Sequence, residues 1–520
     1  MGNRPLILVS LLLAAFAINL DTTIVNVALP TLVRELHSSD SQLQWIVDAY
    51  NLVFAALLLA AGSLSDRLGR KGMLLAGLAL FGLASAVGGF ADSSGQLIAA
   101  RCFMGLGAAM VFPSTLSLIS NVFTERAERA RAIGLWGATA GIAIALGPIV
   151  GGWLLGRFAW ASIFFALAPV AAIAAALVAR YVPSSRDPEV APVDMPGFAL
   201  STAAMAVIVY TIIEAPDYGW GSLRSVLGFA LGAGLLAVFI AWERNARDPM
   251  LDVSLFKNAR FTAACAAVTV SFFTLLGFIF IMTQYFQFIR RYDALSTGVH
   301  LLPVAASVGV SSVLGTKLAV RFGTKLVVAL GLVMVSAFYL WVSIVVAPTT
   351  SYGTIAIQMV LFGTGMGLTS APATEAIMGV VPREKAGVGS AVNDTTRLLG
   401  GTLGVAVIGS VYASIYATHL SSALPSQLPR ALATLAHSSV GAALGVAARL
   451  TAGGHGDVAR SVEHAASGAF IKGLSAGCLL AALVSAVGAV AAAALLPAQP
   501  ITLDDGEESF LAGPITTLAG

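Results

Sequence analysis

The sequence predicts an all-α polytopic membrane protein with fourteen spanning helices, arranged as two six-helix halves with a helix pair inserted between them. Three observations predict it. Of the 520 residues, 58% are hydrophobic and 11% are charged, with a mean hydropathy of +0.88, against a soluble norm of roughly 45–50% apolar and about 25% charged. The chain then divides into long, continuously apolar segments, each able to cross a hydrocarbon core about 30 Å thick. It also repeats itself. Arg67-Leu-Gly69-Arg70-Lys71 recurs as Arg321-Phe-Gly323-Thr-Lys325, 254 residues later, and Pro113-Ser-Thr115 recurs as Pro372-Ala-Thr374 with an offset of 259. Transporters built from such repeats bind substrate between the halves.

In order, the apolar segments lie near 6–30, 44–64, 73–91, 96–120, 132–155, 161–181, 196–215, 223–241, 261–289, 298–320, 325–347, 351–379, 386–416 and 468–497. The first is too long for a signal-peptide core and lacks an A-x-A-type end, so it is read as a retained span. Continuous apolarity, without ten-residue alternation, excludes a β-barrel. The expected units are a six-helix bundle over 1–181, the helix pair and its linkers over 182–260, and a second six-helix bundle over 261–497. Within the last, 417–466 is expected to be an external segment with short amphipathic helices, and 498–520 a cytoplasmic tail. With the N-terminus inside, 18 of the 29 Lys and Arg residues fall in cytoplasmic loops, 8 outside and 3 in spans. That bias places both termini in the cytoplasm.

Several function classes drop out. The net charge of +3 is spread over many loops, without the basic stripe that nucleic acid requires. Cys102, Cys265 and Cys478 lie far apart in apolar stretches, and the six histidines lack metal-ligand spacing, so neither disulfides nor a metal site is expected. No Gly-Lys dipeptide occurs, which removes the P-loop. An enzyme is not expected, nor a bound cofactor.

Charged residues inside the spans are costly and therefore informative. Counting about 1.5 Å per residue from the external ends, Asp21 lies roughly 13 Å deep, Asp48 roughly 6 Å and Arg101 roughly 8 Å. All three can share one polar cavity, with Arg101 as counter-ion; the plainer alternative has Arg101 snorkelling outward. Toward the cytoplasmic side stand Glu375 and Asp394. Arg397 is one turn from Asp394, so that acid serves either coupling or a local salt bridge. Glu375 has no cation on its own helix. Phe272, Phe273, Gln284, Tyr285 and Gln287 in the ninth span offer an apolar lining tolerant of cations, with ordinary core packing as the alternative. In the fifth span, small residues at 134, 137, 138, 140, 141, 143, 145 and 147, Gly137, Gly141 and Gly147 among them, allow close helix approach, and Pro148 interrupts the backbone ladder ahead of Gly151 and Gly152.

The stretch from Gly62 through Asp66, Arg67, Gly69, Arg70 and Lys71 resembles the signature loop of the major facilitator superfamily. Leu20-Asp21 to Pro30, Arg101 to Gly107, and Gly137 to Gly152 resemble the first-helix, fourth-helix and antiporter motifs of its drug:proton antiporter branches. Together with fourteen spans, these motifs resemble the 14-helix multidrug branch that includes quaternary-ammonium exporters, some of which also carry an acid at the position of Asp48. The resemblance implies the major facilitator fold, a monomer in the cell membrane, and export driven by the proton motive force. It also implies a gating role for the 62–71 loop, whose plainer reading is a solvated loop that sets topology.

The expected mechanism is antiport by competition. A carboxylate removed from water favours a proton, whereas a lipophilic cationic drug or dye favours its ionised form. Asp21, Asp48 and Glu375 are the expected shared sites, with Arg101 and Asp394 in proton coupling. The rivals are a carrier of the same fold that moves an endogenous lipid, peptide or metabolite, and, from another class, a channel.

Overall fold

A computed structural model of the chain describes residues 4–186, 194–247, 249, 251, 253–380, 386–426 and 428–496, and every regular element among them is helical. The first six helices are α1 (Arg4–Glu35), α2 (Asp40–Leu68), α3 (Arg70–Gly88), α4 (Ser94–Val122), α5 (Arg126–Leu155) and α6 (Ser162–Tyr181). A pair follows, α7 (Met195–Tyr218) and α8 (Leu223–Asn245). The rest are α9 (Ala259–Gln284), α10 (Ala294–His300), α11 (Leu302–Phe322), α12 (Thr324–Val345), α13 (Tyr352–Met378), α14 (Ala386–Ala423), α15 (Arg430–Ser438), α16 (Val440–Ala452) and α17 (Gly456–Leu495). Taking α10 and α11 as one broken span, thirteen of these are long and apolar enough to cross a membrane. The second expected segment is the 29-residue α2.

The helix starts follow from local chemistry. Ser39, Ser93, Ser222 and Ser351 precede α2, α4, α8 and α13, and each accepts the backbone N–H three residues on, which satisfies a donor the helix leaves free. At α2 the Gln42 side chain also accepts from the Ser39 N–H at 3.0 Å, completing a capping box. The tenth expected span breaks at Leu301, just before a proline in the first turn of α11, where the missing N–H and ring are tolerated. α9 ends in a π-helical turn over Tyr285–Ile289.

The sequence repeat is also a structural one. Gly69 separates α2 from α3 at φ 120°, and Gly323 separates α11 from α12 at φ 88°, a backbone region that a side chain rarely adopts. A further pairing was not visible in the motifs. Gly77 on α3 and Gly107 on α4 face each other so closely that a Cβ on either would come within 2.9 Å of the other's carbonyl. Gly331 on α12 and Gly365 on α13 do the same at 2.7 Å or less. Both halves thus use paired glycines to bring two backbones together.

Both described termini, at Arg4 and Leu496, lie at one end of the bundle, here proximal; the α1–α2 loop lies at the other, distal, end. Close approaches between the halves cluster distally. Gln287 Nε2 donates to the Val27 carbonyl at 2.8 Å, and the Ser410 hydroxyl to Gln44 Oε1 at 3.1 Å. α7 packs against both α2 and α14. There the Trp45 indole N–H donates to Glu214 at 3.1 Å, and Trp220, after α7, donates to Ser414 at 2.9 Å, so α7 and the turn that follows it strap the seam between the halves. α14 and α17 extend past the expected spans, which leaves α15 and α16 as the short helices of the 417–466 segment. The tail expected over 498–520 lies outside the described residues.

Candidate functional site

Three helices build the distal polar core. Asp21 on α1 and Arg101 on α4 are both fully buried, and Arg101 Nη1 donates to Asp21 Oδ2 at 2.5 Å. Arg101 Nε donates to the Ile46 carbonyl of α2 at 2.9 Å, and its guanidinium lies over the Tyr50 ring, 4.3 Å from the centroid. Tyr50 donates its hydroxyl to the Ile18 carbonyl at 3.0 Å. Arg101 therefore does not snorkel; it is held from three directions. Yet Asp21 Oδ1 and Arg101 Nη2 have no hydrogen-bond partner, and buried groups in that condition are rare.

Asp48 is brought near this core in sequence but not into it. Ile46 and Tyr50 address Arg101, so Asp48, midway between them on the helix, points away. One turn earlier, Gln44 meets α14, and Asp48 shares that face. Its carboxylate is fully buried with both oxygens unpartnered. Asn51 is buried with its amide unpartnered, and Asn26 on α1 has an unpartnered Oδ1. The distal half of the first bundle thus contains several buried polar groups that no atom of the described residues satisfies.

The second group, on α13 and α14, is looser. Arg397 Nη1 stands 3.9 Å from Asp394 Oδ1, and Arg397 Nη2 donates to Thr374 at 3.1 Å. The Thr374 hydroxyl donates to Asn393 at 3.1 Å, and the Arg397 guanidinium sits 5.3 Å from the Phe272 ring centroid. Glu375 is exposed and has no ion pair among the described residues. Of the other α9 residues, Phe273 packs in the core, Gln284 bonds its own helix at the Phe280 carbonyl, and Tyr285 bonds the Ala347 carbonyl. Among those five, Gln287 is the one that hydrogen-bonds across to the other half.

α5 differs along its length. Near its distal end, a Cβ on Gly147 would lie 3.0 Å from the Ile24 amide, and one on Gly151 3.0 Å from the Ile24 carbonyl. Gly152 lies against Ala294 of α10, and Gly298 of α10 against Pro148. Gly137 and Gly141, toward the proximal end, have no atom of the described residues within 4 Å of a Cβ position. Among the described residues, α5 thus meets the other half near its distal end. In the 62–71 motif, Gly62 faces Pro113, Lys71 donates to the Ala179 carbonyl at 2.9 Å, and the Arg70 amide donates to the Ser185 carbonyl at 2.9 Å. The exposed Arg67 follows Asp66, whose side chain lies outside the described residues. The Lys71 and Arg70 bonds stay within the first half and its following linker.

Sequence reasoning missed Glu214 and Asp40. Glu214 is an acid in the seventh span, a signal that was available; its link to Trp45 was not. Asp40 lies four residues before the apolar span 44–64 and reads as an ordinary polar loop residue. It is buried all the same, and burial together with the nearby Asp217 pushes its carboxyl up to about 8.

Comparison with known proteins agrees with this architecture. Residues 11–405 match the family described as Major Facilitator Superfamily. The chain is 36% identical over 409 residues to multidrug resistance protein Stp of Mycobacterium tuberculosis, covering 79% of this chain and 76% of Stp. It is 35% identical over 481 residues to multidrug efflux pump LfrA of Mycolicibacterium smegmatis, covering 92% and 94%. Methyl viologen resistance protein SmvA of Salmonella typhimurium is 33% identical over 411 residues, covering 79% of this chain and 82% of SmvA. Among solved structures, an inward-facing bacterial homolog of the human lysosomal transporter Spinster superposes with a TM-score of 0.66 at 15% identity, over 95% of this chain and 98% of that one. That likeness concerns the fold.

Proposed function

Because this chain belongs to the major facilitator superfamily, we propose that it exports lipophilic, cationic compounds across the cell membrane in exchange for protons, by alternating access. The carrying observation is the set of orphaned carboxylate oxygens buried in the distal half of the first bundle: Asp21 Oδ1 in the Arg101 core, and both oxygens of Asp48 on the opposite face of α2. A buried carboxylate needs either a proton or a positive partner. A proton and a drug cation answer that need by turns, and each excludes the other. Arg101 balances the charge of Asp21 alone, so an ionised Asp48, on the other face of α2, demands a positive species of its own.

Three features support this reading. The relatives' names concern multidrug efflux and resistance, and methyl viologen, named for SmvA, is a dication. The positive-inside count puts the distal end outside, so protons enter from the side where the acids lie. The proximal face of α5, with no atom of the described residues against Gly137 and Gly141, gives substrate an approach from the cytoplasm. Asp394, with Arg397 beside it, and the exposed Glu375 serve as the proximal relay, and the carrier acts as a monomer.

The test is proton movement in proteoliposomes on adding a panel of lipophilic mono- and dications. The expected result is saturable, cation-dependent proton flux in the wild type and its loss in Asp48→Asn and Asp21→Asn, each checked for folding. Drug flux without proton movement, or unchanged exchange in both variants, contradicts the proposal.

A further inference from the structure

The distal seam holds an acid for which this mechanism has no role. Asp40 stands in the first turn of α2 and is 7% exposed. Its Oδ1 has no hydrogen-bond partner, and no Lys, Arg or His among the described residues pairs with it. The titratable groups that face it are Asp217 at the end of α7 and Tyr412 and Tyr416 on α14. The two tyrosine rings stack with centroids 5.8 Å apart. Tyr416 donates to the Ala436 carbonyl of α15 at 3.1 Å, but the buried Tyr412 hydroxyl has no partner. Two unsatisfied polar groups are therefore shut into the junction where α2, α7 and α14 close over one another.

An ionised Asp40 in that place would face a second carboxylate and no cation, whereas a protonated one is neutral and gains a donor. Opening the seam between α2 and α14 would return it to water. We propose that Asp40 is a proton-binding site of the distal gate, protonated while α2 and α14 are closed over it and released when they part. The site is separate from the Asp21–Arg101 core and from Asp48. It rests on alternating access, and needs no particular substrate.

The sign follows from linkage. A carboxyl with an ordinary pKa of about 4 in the open gate, raised to about 8 by closure, is protonated in both states below the lower value. Between the two values, closing takes up one proton, and the closed-to-open ratio falls up to tenfold per pH unit as pH rises. Closure is thus favoured by acid on the distal side and loses this contribution once pH passes about 8.

The experiment places spin labels at Glu35→Cys and Ser421→Cys, both exposed distal positions, in full-length protein whose three native cysteines are replaced by alanine. Distance distributions are recorded in nanodiscs from pH 5 to 8 with no substrate present. The expected result is a closed-to-open ratio that falls more steeply with pH in the wild type than in Asp40→Asn, by close to one factor of ten per unit, with Asp40→Glu retaining the wild-type slope. Equal slopes in wild type and Asp40→Asn overturn the proposal. If Asp40→Asn does not fold, Tyr412→Phe is used, and infrared difference spectra follow the carbonyl stretch of a protonated carboxyl. A shifted band or midpoint supports the site, and an unmoved band and midpoint overturn it. Because no drug is added, failure of the export reading leaves this result standing, and the reverse holds.

Discussion

Two acid–arginine pairs, one in each half, show how differently this chain holds a carboxylate. Asp21 and Arg101 come from helices 80 residues apart, meet at 2.5 Å and see no solvent. Asp394 and Arg397 are three residues apart on one helix, stand at 3.9 Å, and leave the arginine side chain 32% exposed. The first pair depends on three helices being in register; the second needs only α14. A charge that several helices must agree upon is positioned to report their rearrangement, and a charge neutralised within one helix travels with it. The difference argues for placing the conformational coupling in the distal core and a supporting role at Asp394.

The largest expected effect breaks the first pair. Arg101→Ala leaves Asp21 buried and uncompensated, and should cost about 3–5 kcal/mol of stability, measured by thermal or denaturant unfolding in detergent. Asp21→Asn/Arg101→Gln should recover much of that loss but not transport. If transport also returned, the pair would be structural.

A smaller effect concerns the seat of α1. Gly147 on α5 abuts Thr23 and Ile24, just beyond Asp21, so Gly147→Ala should overpack the contact and cost about 1–3 kcal/mol. Gly137→Ala meets no atom of the described residues and should be neutral or slightly stabilising in this state, since alanine favours a helix over glycine by about 1 kcal/mol. Equal losses at both positions would remove the asymmetry along α5.

Breaking the second pair should matter less. Arg397→Ala is expected to cost on the order of 1 kcal/mol, in line with a partly exposed ion pair, although it also frees the Thr374 hydroxyl. The mildest case is Asp293, an exposed carboxylate that caps α10 by accepting the Ser296 amide at 2.6 Å. This bond holds its carboxyl below the usual carboxylate range. A depressed pKa means that the cap contributes fully above the ordinary value of about 4 and is lost as pH falls through the lowered one. Asp293→Ala should therefore cost roughly 1 kcal/mol near neutral pH and nothing in strong acid; a cost independent of pH would contradict the cap.

Much of this was legible in the sequence, for identifiable reasons. Apolar length and the recurring R-x-G-x-K carried the spans and the repeat, because membrane length and a positive-φ glycine each constrain residue type directly. Asp21 stood out because a carboxylate in hydrocarbon is costly wherever it pairs. The partner geometry was less readable: Arg101 was a candidate counter-ion, but nothing along the chain ties it to Ile46 and Tyr50, or turns Asp48 toward α14. Asp40 was missed because its burial comes from α7 and α14 folding over a polar turn. The glycine pairs Gly77–Gly107 and Gly331–Gly365 escaped because a lone glycine in an apolar run marks no face until its neighbour is known.

The most direct test of the central claim, that proton and drug cation compete for the distal carboxylates, is the affinity of purified protein for a lipophilic cationic dye as a function of pH. The account predicts that wild-type affinity weakens as pH falls, and that Asp21→Asn and Asp48→Asn bind the dye more weakly with a flattened pH dependence. Dye binding with the same affinity and pH slope in both variants as in the wild type would contradict it.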